Sequence, residues 1–407
     1  MSRRPPDPTF CVMPDGPDDS LTLKAVASIA TVPAAAWDAC AGADNPFVRH
    51  AFLSALEDSG SVDGDAGWLP RHLVLEDAEG AALACAPLYV KSHSYGEYVF
   101  DWAWANAYTQ AGGRYYPKLQ CAVPFTPATG PRLLVRPDAP DPARLREALV
   151  SGMVNLAERS GCSSVHITFP TETESQAMAD MGLLIRMGVQ YHWENPGYDS
   201  FEDFLATLSS RKRKDIRKER SRAQTSGVRL HTLTGDDIKP RHWDAFYRFY
   251  RATSDRKWGT PYLTRAFFDL LGERMGDSVV LVMGEDDGRL VCGALNLRGT
   301  DTLYGRNWGC LGDYKFLHFE ACYYRALDFA IDHGLARVEA GAQGEHKIKR
   351  GYLPRATWSA HWIADTGFRD AVERFLSQER AVMRAEIEDL ASLAPYKKSD
   401  GNPPDCA

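Results

Sequence analysis

The sequence predicts an α/β protein of two tandem domains, each a mixed β-sheet flanked by helices. The length of 407 residues, with 44% hydrophobic and 25% charged residues, suits two soluble domains of about 200 residues each. Looser matches between the halves include Trp37-Asp38-Ala39 with Trp243-Asp244-Ala245. Five residues recur with one constant spacing: Gly182, Leu184, Arg186, His192 and Trp193 match Gly351, Leu353, Arg355, His361 and Trp362.

The domain boundaries follow from this repeat and from composition. We predict a disordered leader at 1–20, a first domain at 21–195, a second at 196–394 and a disordered tail at 395–407. No apolar run reaches the roughly 18 residues that a membrane-spanning helix needs, and the leader has no apolar core of a signal peptide. The nine cysteines are scattered without a C-x-x-C pair, which argues against disulfides and a cysteine zinc site and favours the cytoplasm.

In the first copy, strands are predicted where β-branched and aliphatic residues cluster between turn residues. Gly161 ends the longest helix as a C-terminal cap. The segment 95–125 is rich in aromatic residues and poor in aliphatic ones, and no element is assigned to it. The predicted elements are helices at 35–40 and 50–59, strands at 71–77 and 81–92, a short strand at 132–135, a helix at 145–160 and a strand at 164–169.

In the second copy, Ser200 is a suitable N-cap for a helix with an apolar face. The later order of three strands, a helix, a strand, a helical connection and a last strand resembles the GNAT acyltransferase fold. The predicted elements are helices from 201 and through the basic run to about 227, a strand at 228–233, helices at 242–253 and 264–275, strands at 278–283, 289–297 and 302–308, a helix at 315–333, strands at 337–340 and 357–363, and a final helix at 368–393.

A basic run at 211–222 stands out in a chain of net charge −7. It holds eight basic and two acidic residues, hence a local charge of +6. Lysine and arginine on almost every face of a helix suit phosphate backbones, because they displace condensed counterions. The candidate phosphate or tRNA contacts are Arg211, Lys212, Arg213, Lys214 and Arg217. The alternative is a solvated helix with Arg–Glu pairs.

The segment 339–352 follows a predicted strand at its C-terminal end, where α/β sheets place ligands. It combines acidic and basic residues with three glycines. The alternative is a solvated connecting helix. A GNAT enzyme would place its pyrophosphate loop at 306–312, although the usual glycine spacing is not met there. The candidates are Glu339, Glu345, His346 and Lys347 for catalysis, and Arg306, Asn307, Arg350 and Tyr352 for substrate binding.

The aromatic segment offers a third candidate site. Asp101, Trp102, Tyr115 and Lys118 combine aromatic rings with charge, which suits a sugar or a peptide, although such clusters are more often core. The sequence shows no metal-binding histidine spacing, nucleophile elbow or P-loop, so no metal site is predicted. His192 and His361 recur in both copies, which favours a structural role.

Five strings of residues resemble the Fem-like predicted N-acyltransferases of bacteria: 113–119, 209–217, 339–347, 350–354 and 361–362. The resemblance covers roughly 21–393. The better-known Fem transferases have two tandem GNAT-like domains and move an amino acid from aminoacyl-tRNA to an amine of a peptidoglycan precursor. This sequence lacks an obvious coiled-coil arm.

The resemblance and the residues together predict an N-acyltransferase of cell-wall peptides or similar metabolites. Lys347 would stabilise the oxyanion or a donor phosphate, and Glu345 or Glu339 would accept the amine proton. Aminoacyl-tRNA or acyl-CoA would be a co-substrate, with no permanently bound cofactor. The alternatives are an acyl-CoA-dependent N-acyltransferase and a non-catalytic binder of peptidoglycan peptide or RNA.

Overall fold

The computed structural model describes residues 9–12, 21–256, 259–341 and 344–397. The strands are β1 (Thr9–Val12), β2 (Leu21–Val26), β3 (Trp68–Pro70), β4 (His72–Glu76), β5 (Ala82–Ala86), β6 (Leu88–Lys91), β7 (Lys118–Cys121), β8 (Leu134–Val135), β9 (Ser164–Thr168), β10 (Leu184–Glu194), β11 (Arg229–Thr234), β12 (Val279–Asp286), β13 (Arg289–Arg298), β14 (Thr302–Cys310), β15 (Arg337–Glu339) and β16 (Leu353–Ile363). The helices are α1 (Ala34–Ala41), α2 (His50–Asp58), α3 (Trp102–Gln110), α4 (Pro142–Ser160), α5 (Glu172–Asp180), α6 (Phe201–Thr207), α7 (Ser210–Gln224), α8 (Pro240–Arg256), α9 (Arg265–Met275), α10 (Leu317–Phe319), α11 (Arg325–Asp332) and α12 (Thr366–Ser392).

The chain forms two compact units, and neither is one continuous segment. Unit 1 consists of Met1–Gly188, Tyr262–Met275 and Thr357–Met383. Unit 2 consists of Val189–Pro261, Gly276–Ala356 and Arg384–Ala407. The predicted boundary at 195/196 therefore differs from the structural division, because segments of the second copy complete the first unit.

Unit 1 contains two sheets. Strands β1-β2-β4-β5-β8 form the first, and β3-β6-β7-β9 with the end of β16 form the second. Helix α4 packs against β5 and β9. Its apolar face lies on the core of unit 1, and Leu149 of α4 and Val165 of β9 belong to the same core cluster. Its N-cap is Asp141, which accepts a hydrogen bond from the backbone N–H of Arg144, and Gly161 is the predicted left-handed C-terminal cap.

Unit 2 contains a mixed sheet of order β11-β12-β13-β14-β15-β10. Its neighbouring strands are antiparallel except for β14 and β15, which run parallel. Helix α8 packs on β13 and β14, and α11 packs on β14 and β15. The prediction of a mixed sheet flanked by helices in each domain is confirmed.

The two copies exchange their last strands. The end of β10, from the first copy, pairs with β15 of unit 2. The end of β16, from the second copy, pairs with β9 of unit 1. As a result, Trp193 belongs to the core of unit 2, and Trp362 packs against the core of unit 1. Each repeated His-Trp pair therefore lies in the unit that the other copy mainly forms.

The structure differs from the predicted elements at three places. The predicted strand 81–92 is divided into β5 and β6 at Pro87, which has no N–H to continue a ladder. The aromatic segment contains helix α3. The predicted helix 315–333 runs from α10 through a π-helical turn, Glu320–Tyr324, into α11.

Parts of the two predicted disordered ends are structured. Within the predicted leader, β1 pairs with β2, so the prediction was wrong for these residues. In the predicted tail, the hydroxyl of Tyr396 donates a 2.8 Å hydrogen bond to the Gly351 carbonyl. The other residues of the leader, and those from 398 onward, lie outside the described residues. Among the helices of the described ranges, none is long and apolar enough to cross a membrane.

Candidate functional site

A cationic pocket of unit 2 is formed mainly by helix α7 and the 3-10 helix Glu345–Arg350. Its volume is about 210 Å³. Five cationic and two acidic side chains line it, which gives a local charge of +3. The predicted residues Lys212 and Arg350 thus come together. The lining residues are Lys212, Asp215, Ile216, Lys218, Glu219, Arg222, Phe316, Lys349 and Arg350, which we call the cationic pocket.

Helix α7 is held to unit 2 by one face. Ile216 and Ala223 are buried, and Arg220 pairs with Glu320 at 3.0 Å and with Asp328 at 2.6 Å. Those contacts fix the helix, so its other cations point away from the core. One face of α7 is therefore packed on unit 2, and the Arg–acid pairs along the helix are compatible with the alternative of a solvated helix with Arg–Glu pairs.

The remaining predicted residues of α7 lie outside the pocket. Arg211, Lys214 and Arg217 are exposed, and Arg213 is half-buried. Arg217 forms an ion pair with Glu202. These cations extend the positive charge along the helix beyond the pocket.

Arg350 is fixed by its neighbours. Its guanidinium donates to both carboxylate oxygens of Glu219 at 2.8 Å and to the carbonyl of His346 at 2.7 Å. It also stacks on the ring of Phe319, 3.4 Å from the ring centroid. A bidentate arginine of this kind is a rigid wall of the pocket. Tyr352, by contrast, is fully buried in the core of unit 2. It therefore packs in the core and does not have the predicted role in substrate binding.

Lys347 lies on the inner side of the same 3-10 helix. Its ammonium donates to the carbonyls of Ala340 at 2.6 Å and Gly341 at 2.9 Å. Burial lowers the pKa of Lys347 to about 8. The side chain therefore links the 3-10 helix to the two residues that follow β15, Ala340 and Gly341.

The other two catalytic candidates of this segment are exposed. Glu345 faces solvent, and His346 shares a 2.9 Å hydrogen bond with the hydroxyl of Tyr323. Partial burial, together with Arg350 and Lys347, lowers the pKa of His346. Only Lys347 among the three consecutive residues 345–347 points into unit 2.

Glu339 is buried at the end of β15. Its register partners are Tyr304 on β14 and His192 on β10. Oε2 of Glu339 lies 3.8 Å from Nε2 of His192. The recurrence of His192 in both copies favoured a structural role, and nothing in its sequence spacing reveals that an acidic residue lies opposite.

The predicted pyrophosphate-loop residues belong to a strand. Arg306 and Asn307 lie in β14, which continues to Cys310. Arg306 is the extra residue of a β-bulge, since Gly305 pairs with Asn296 and Asn307 pairs with Leu295. The turn before helix α10 therefore begins only at residue 311, and the predicted loop position was wrong.

In unit 1 the structure brings three of the four aromatic-segment candidates together. The ammonium of Lys118 donates to Asp101, and to Glu97 and Ser94 at 2.8 Å each. The hydroxyl of Tyr115 donates to Asp101 at 2.7 Å. These residues are almost completely buried, which fits the core alternative.

Trp102, the fourth candidate, is 36% exposed. Its ring meets that of Tyr95, with the ring centroids 4.8 Å apart. It is therefore the member of the group that lies at the surface of unit 1.

Charges in this buried cluster are strongly shifted. Burial raises the pKa of Glu97 to about 7, and burial lowers the pKa of Lys91 to about 7. Burial disfavours the charged form of Asp101 as well, but Lys118 together with His166 and Ser94 outweighs burial and lowers the pKa of Asp101. Lys91 and Glu97 were not predicted from the sequence, because single charges among aromatic residues give no sign of burial.

A family model described as peptidoglycan biosynthesis/recognition, FemAB-like, matches residues 28–398. The chain belongs to the FemAB-like family. A search of curated proteins finds no match to this FemAB-like chain.

Solved structures with a similar fold include the C-terminal domain of a putative lysylphosphatidylglycerol synthetase from Agrobacterium fabrum, with 10% identity, a TM-score of 0.52 and coverage of 84% of this chain and 94% of that one. FemX matches with 12% identity, a TM-score of 0.49 and coverage of 76% and 92%. A tandem GNAT protein from the clavulanic acid biosynthesis pathway matches with 13% identity, a TM-score of 0.46 and coverage of 85% and 99%. The match to the synthetase domain shows that this chain shares the fold of that domain.

The described residues contain no group of three or more histidine, cysteine, aspartate or glutamate side chains placed to hold a metal ion.

Proposed function

We propose that this FemAB-like protein is an N-acyltransferase that moves an aminoacyl group from aminoacyl-tRNA to an amine of a cell-wall peptide precursor. The cationic pocket is the observation that carries the proposal. A net charge of +3 around about 210 Å³ suits a phosphate group of the acyl donor. Its rigid wall, the Glu219–Arg350 pair, keeps the cations in place without substrate.

A polynucleotide donor is favoured by charge beyond the pocket. Arg211, Lys214 and Arg217 continue along the exposed side of α7. A single pyrophosphate would occupy the pocket alone, whereas a nucleic-acid backbone presents further phosphates to these cations. The proposed pocket therefore holds one phosphate near the reactive end, and the helix binds its neighbours.

The pocket is close to Lys347, a candidate catalytic residue of unit 2. Lys347 precedes Arg350 by three residues on one 3-10 helix, a rise of about 6 Å. In the proposed reaction the amine attacks the ester carbonyl of the donor, and the ammonium of Lys347 would stabilise the negative charge that develops on the carbonyl oxygen.

The second candidate is an acyl-CoA-dependent N-acyltransferase. The observation that favours it is Phe316, which lines the pocket and directly precedes helix α10. The pocket thus lies beside the strand-to-helix connection that follows β14, and a CoA pyrophosphate would fit the same cations.

Equilibrium binding of aminoacyl-tRNA and of acyl-CoAs tests the proposal. We expect aminoacyl-tRNA to bind, with an affinity that falls as salt rises. Lys212→Glu with Lys349→Glu should weaken tRNA binding more than tenfold and reduce the salt slope by about one to two. Arg298→Glu, an exposed cation outside the pocket, is the matched control and should have little effect.

Transfer to a soluble muramoyl pentapeptide, measured by mass spectrometry, completes the test. Transfer from acyl-CoA alone would establish the second candidate. Binding of tRNA without transfer to any amine would identify a non-catalytic binder. The absence of both tRNA binding and acyl transfer would refute the proposed function.

A further inference from the structure

The duplicated copies place matching residues at one position of each unit. Val165 of the first copy matches Val338 of the second, so the residues that follow them, His166 and Glu339, are equivalent. On the exchanged strands, His361 is opposite His166 in unit 1. In unit 2, His192 is opposite Glu339.

The pair in unit 1 is closed. Nδ1 of His166 and Nδ1 of His361 are 2.7 Å apart and share a hydrogen bond. The Nε2 atoms contact Ser164 at 2.7 Å and Ser359 at 2.9 Å. All four ring nitrogens have partners, and both rings are fully buried. A buried, satisfied polar network of this kind rigidifies a sheet.

In unit 2 the two matching side chains do not hydrogen-bond to each other. Nε2 of His192 and Oε2 of Glu339 are 3.8 Å apart, which is too far for a hydrogen bond between them. Nε2 of His192 is buried and makes no hydrogen bond to the described residues. His192 as a whole is only 6% exposed. A buried nitrogen left in this way calls for an explanation, and binding of a substrate group is one.

The position of this pair suits a ligand. Glu339 is the last residue of β15, and the pairing of β14 with β15 ends at Tyr304 and Glu339. Ligands of open α/β sheets bind at the carboxyl ends of strands. Lys347 is close to this pair, because its positive charge contributes to the lowered pKa of His192.

The imidazole of His192 is uncharged at neutral pH. Burial, with Arg337, Arg355 and Lys347 nearby, lowers the pKa of His192 to about 3. A neutral imidazole whose Nδ1 carries the proton accepts a hydrogen bond at Nε2. The carboxylate of Glu339 is also an acceptor. In this tautomer both atoms are hydrogen-bond acceptors, and they lie 3.8 Å apart.

We propose that His192 and Glu339 together hold the nucleophilic primary amine of the acceptor substrate, one N–H donated to Nε2 of His192 and the other to Oε2 of Glu339. This assignment rests on the proposed acyltransferase function and names a substrate-binding residue for it. A nitrogen placed about 2.9 Å from both atoms bridges a gap of this size.

The chemistry balances with these two groups. The amine nitrogen attacks the donor carbonyl carbon, and the N–C bond forms as the bond from carbonyl carbon to the leaving oxygen, or to sulfur in a thioester, breaks. The nitrogen loses one proton to the carboxylate of Glu339, which returns it to the leaving atom. His192 retains the second N–H and orients the lone pair toward the carbonyl.

Transfer assays with two acceptors test the proposal. The probes are a soluble muramoyl pentapeptide with a lysine side-chain amine and the same peptide with Nε-methyl-lysine, which has one N–H fewer. We expect the wild-type protein to prefer the primary amine. His192→Ala should lower kcat about 100-fold or more without changing donor affinity, and it should reduce the preference to within about threefold.

His192→Gln, which keeps an acceptor near the Nε2 position, should recover part of kcat and of the preference. His361→Ala, the matched change in unit 1, should lower the thermal midpoint by a few degrees and leave kcat and the preference unchanged. His192→Leu, which fills the space of the ring but has no acceptor, is the test if His192→Ala does not fold.

The outcomes separate the two proposals. Turnover and amine preference of His192→Ala or His192→Leu within about threefold of wild type would overturn the role of His192 and leave the transferase function standing. Absence of transfer by the wild-type protein from any donor would refute the function and, with it, this assignment.

Discussion

Replacing Lys118 by methionine tests the energetics of the buried charge cluster of unit 1. The ammonium is inaccessible and uses all three of its donors, on Ser94, Glu97 and Asp101. Methionine keeps the length and apolar stem of the side chain but removes the charge. Two buried carboxylates then lose their shared cation.

The expected cost follows from these contacts. Each hydrogen bond to a charged group contributes about 1.5–3 kcal/mol, and breaking a buried ion pair by removal of one partner costs about 3–5 kcal/mol. Because Glu97 and Asp101 can relieve part of the cost by taking up protons, we expect the free energy of unfolding to fall by about 3–5 kcal/mol at pH 7. For a unit of this size the midpoint of thermal unfolding should fall by about 6–20 °C.

Urea unfolding followed by tryptophan fluorescence measures the change. The compensated variant Lys118→Met with Glu97→Gln and Asp101→Asn should recover much of the loss, because no unpaired carboxylate remains. Lys24→Met is the matched control: Lys24 pairs with Glu76 at the surface, and its removal should cost less than about 1 kcal/mol. A loss below about 1 kcal/mol for Lys118→Met, or no recovery in the compensated variant, would refute the reasoning.

Three further predictions concern pH and backbone strain. The pKa of Lys347 is lowered to about 8, so the unfolded state binds more protons above that pH, and stability from this group should rise by about 3 kcal/mol between pH 8 and 10.5. Lys347→Met should remove this rise in urea titrations and the exposed Lys349→Met should not; identical curves for both would contradict it. The pKa of Glu97 is raised to about 7, so the folded state binds more protons and stability from this group should fall between pH 4.5 and 7; an unchanged slope in Glu97→Gln would exclude this cause. Gly351 has a φ of +92°, and an added Cβ would lie 2.7 Å from the Phe204 ring, so Gly351→Ala should lower the free energy of unfolding by about 2–3 kcal/mol. Gly334→Ala is the control, because its Cβ would meet open space, and it should cost only about 1 kcal/mol. Equal costs by calorimetry would show that the contact with the ring does not matter.

Residue types alone predicted several residues of the candidate site. The basic run indicated helix α7, and the mixed-charge segment after a strand indicated Lys347 and Glu339. Two predicted residues, Lys212 and Arg350, line one pocket. By contrast, the burial of Tyr352 and the strand position of Arg306 had no signature, since an aromatic or basic residue beside glycines is compatible with either a loop or a core.

The sequence by itself determined the α/β class, the duplication and the order of most helices and strands, because hydrophobic periodicity, caps and turn residues are local properties of the chain. It also determined that positive charge concentrates on one helix. Only the tertiary structure decided which strand closes each unit, and with it that Glu339 lies opposite His192 and His166 opposite His361. These partners are more than 140 residues apart in the chain, and their pairing depends on strand register and on the exchange of β10 and β16, which no local pattern encodes.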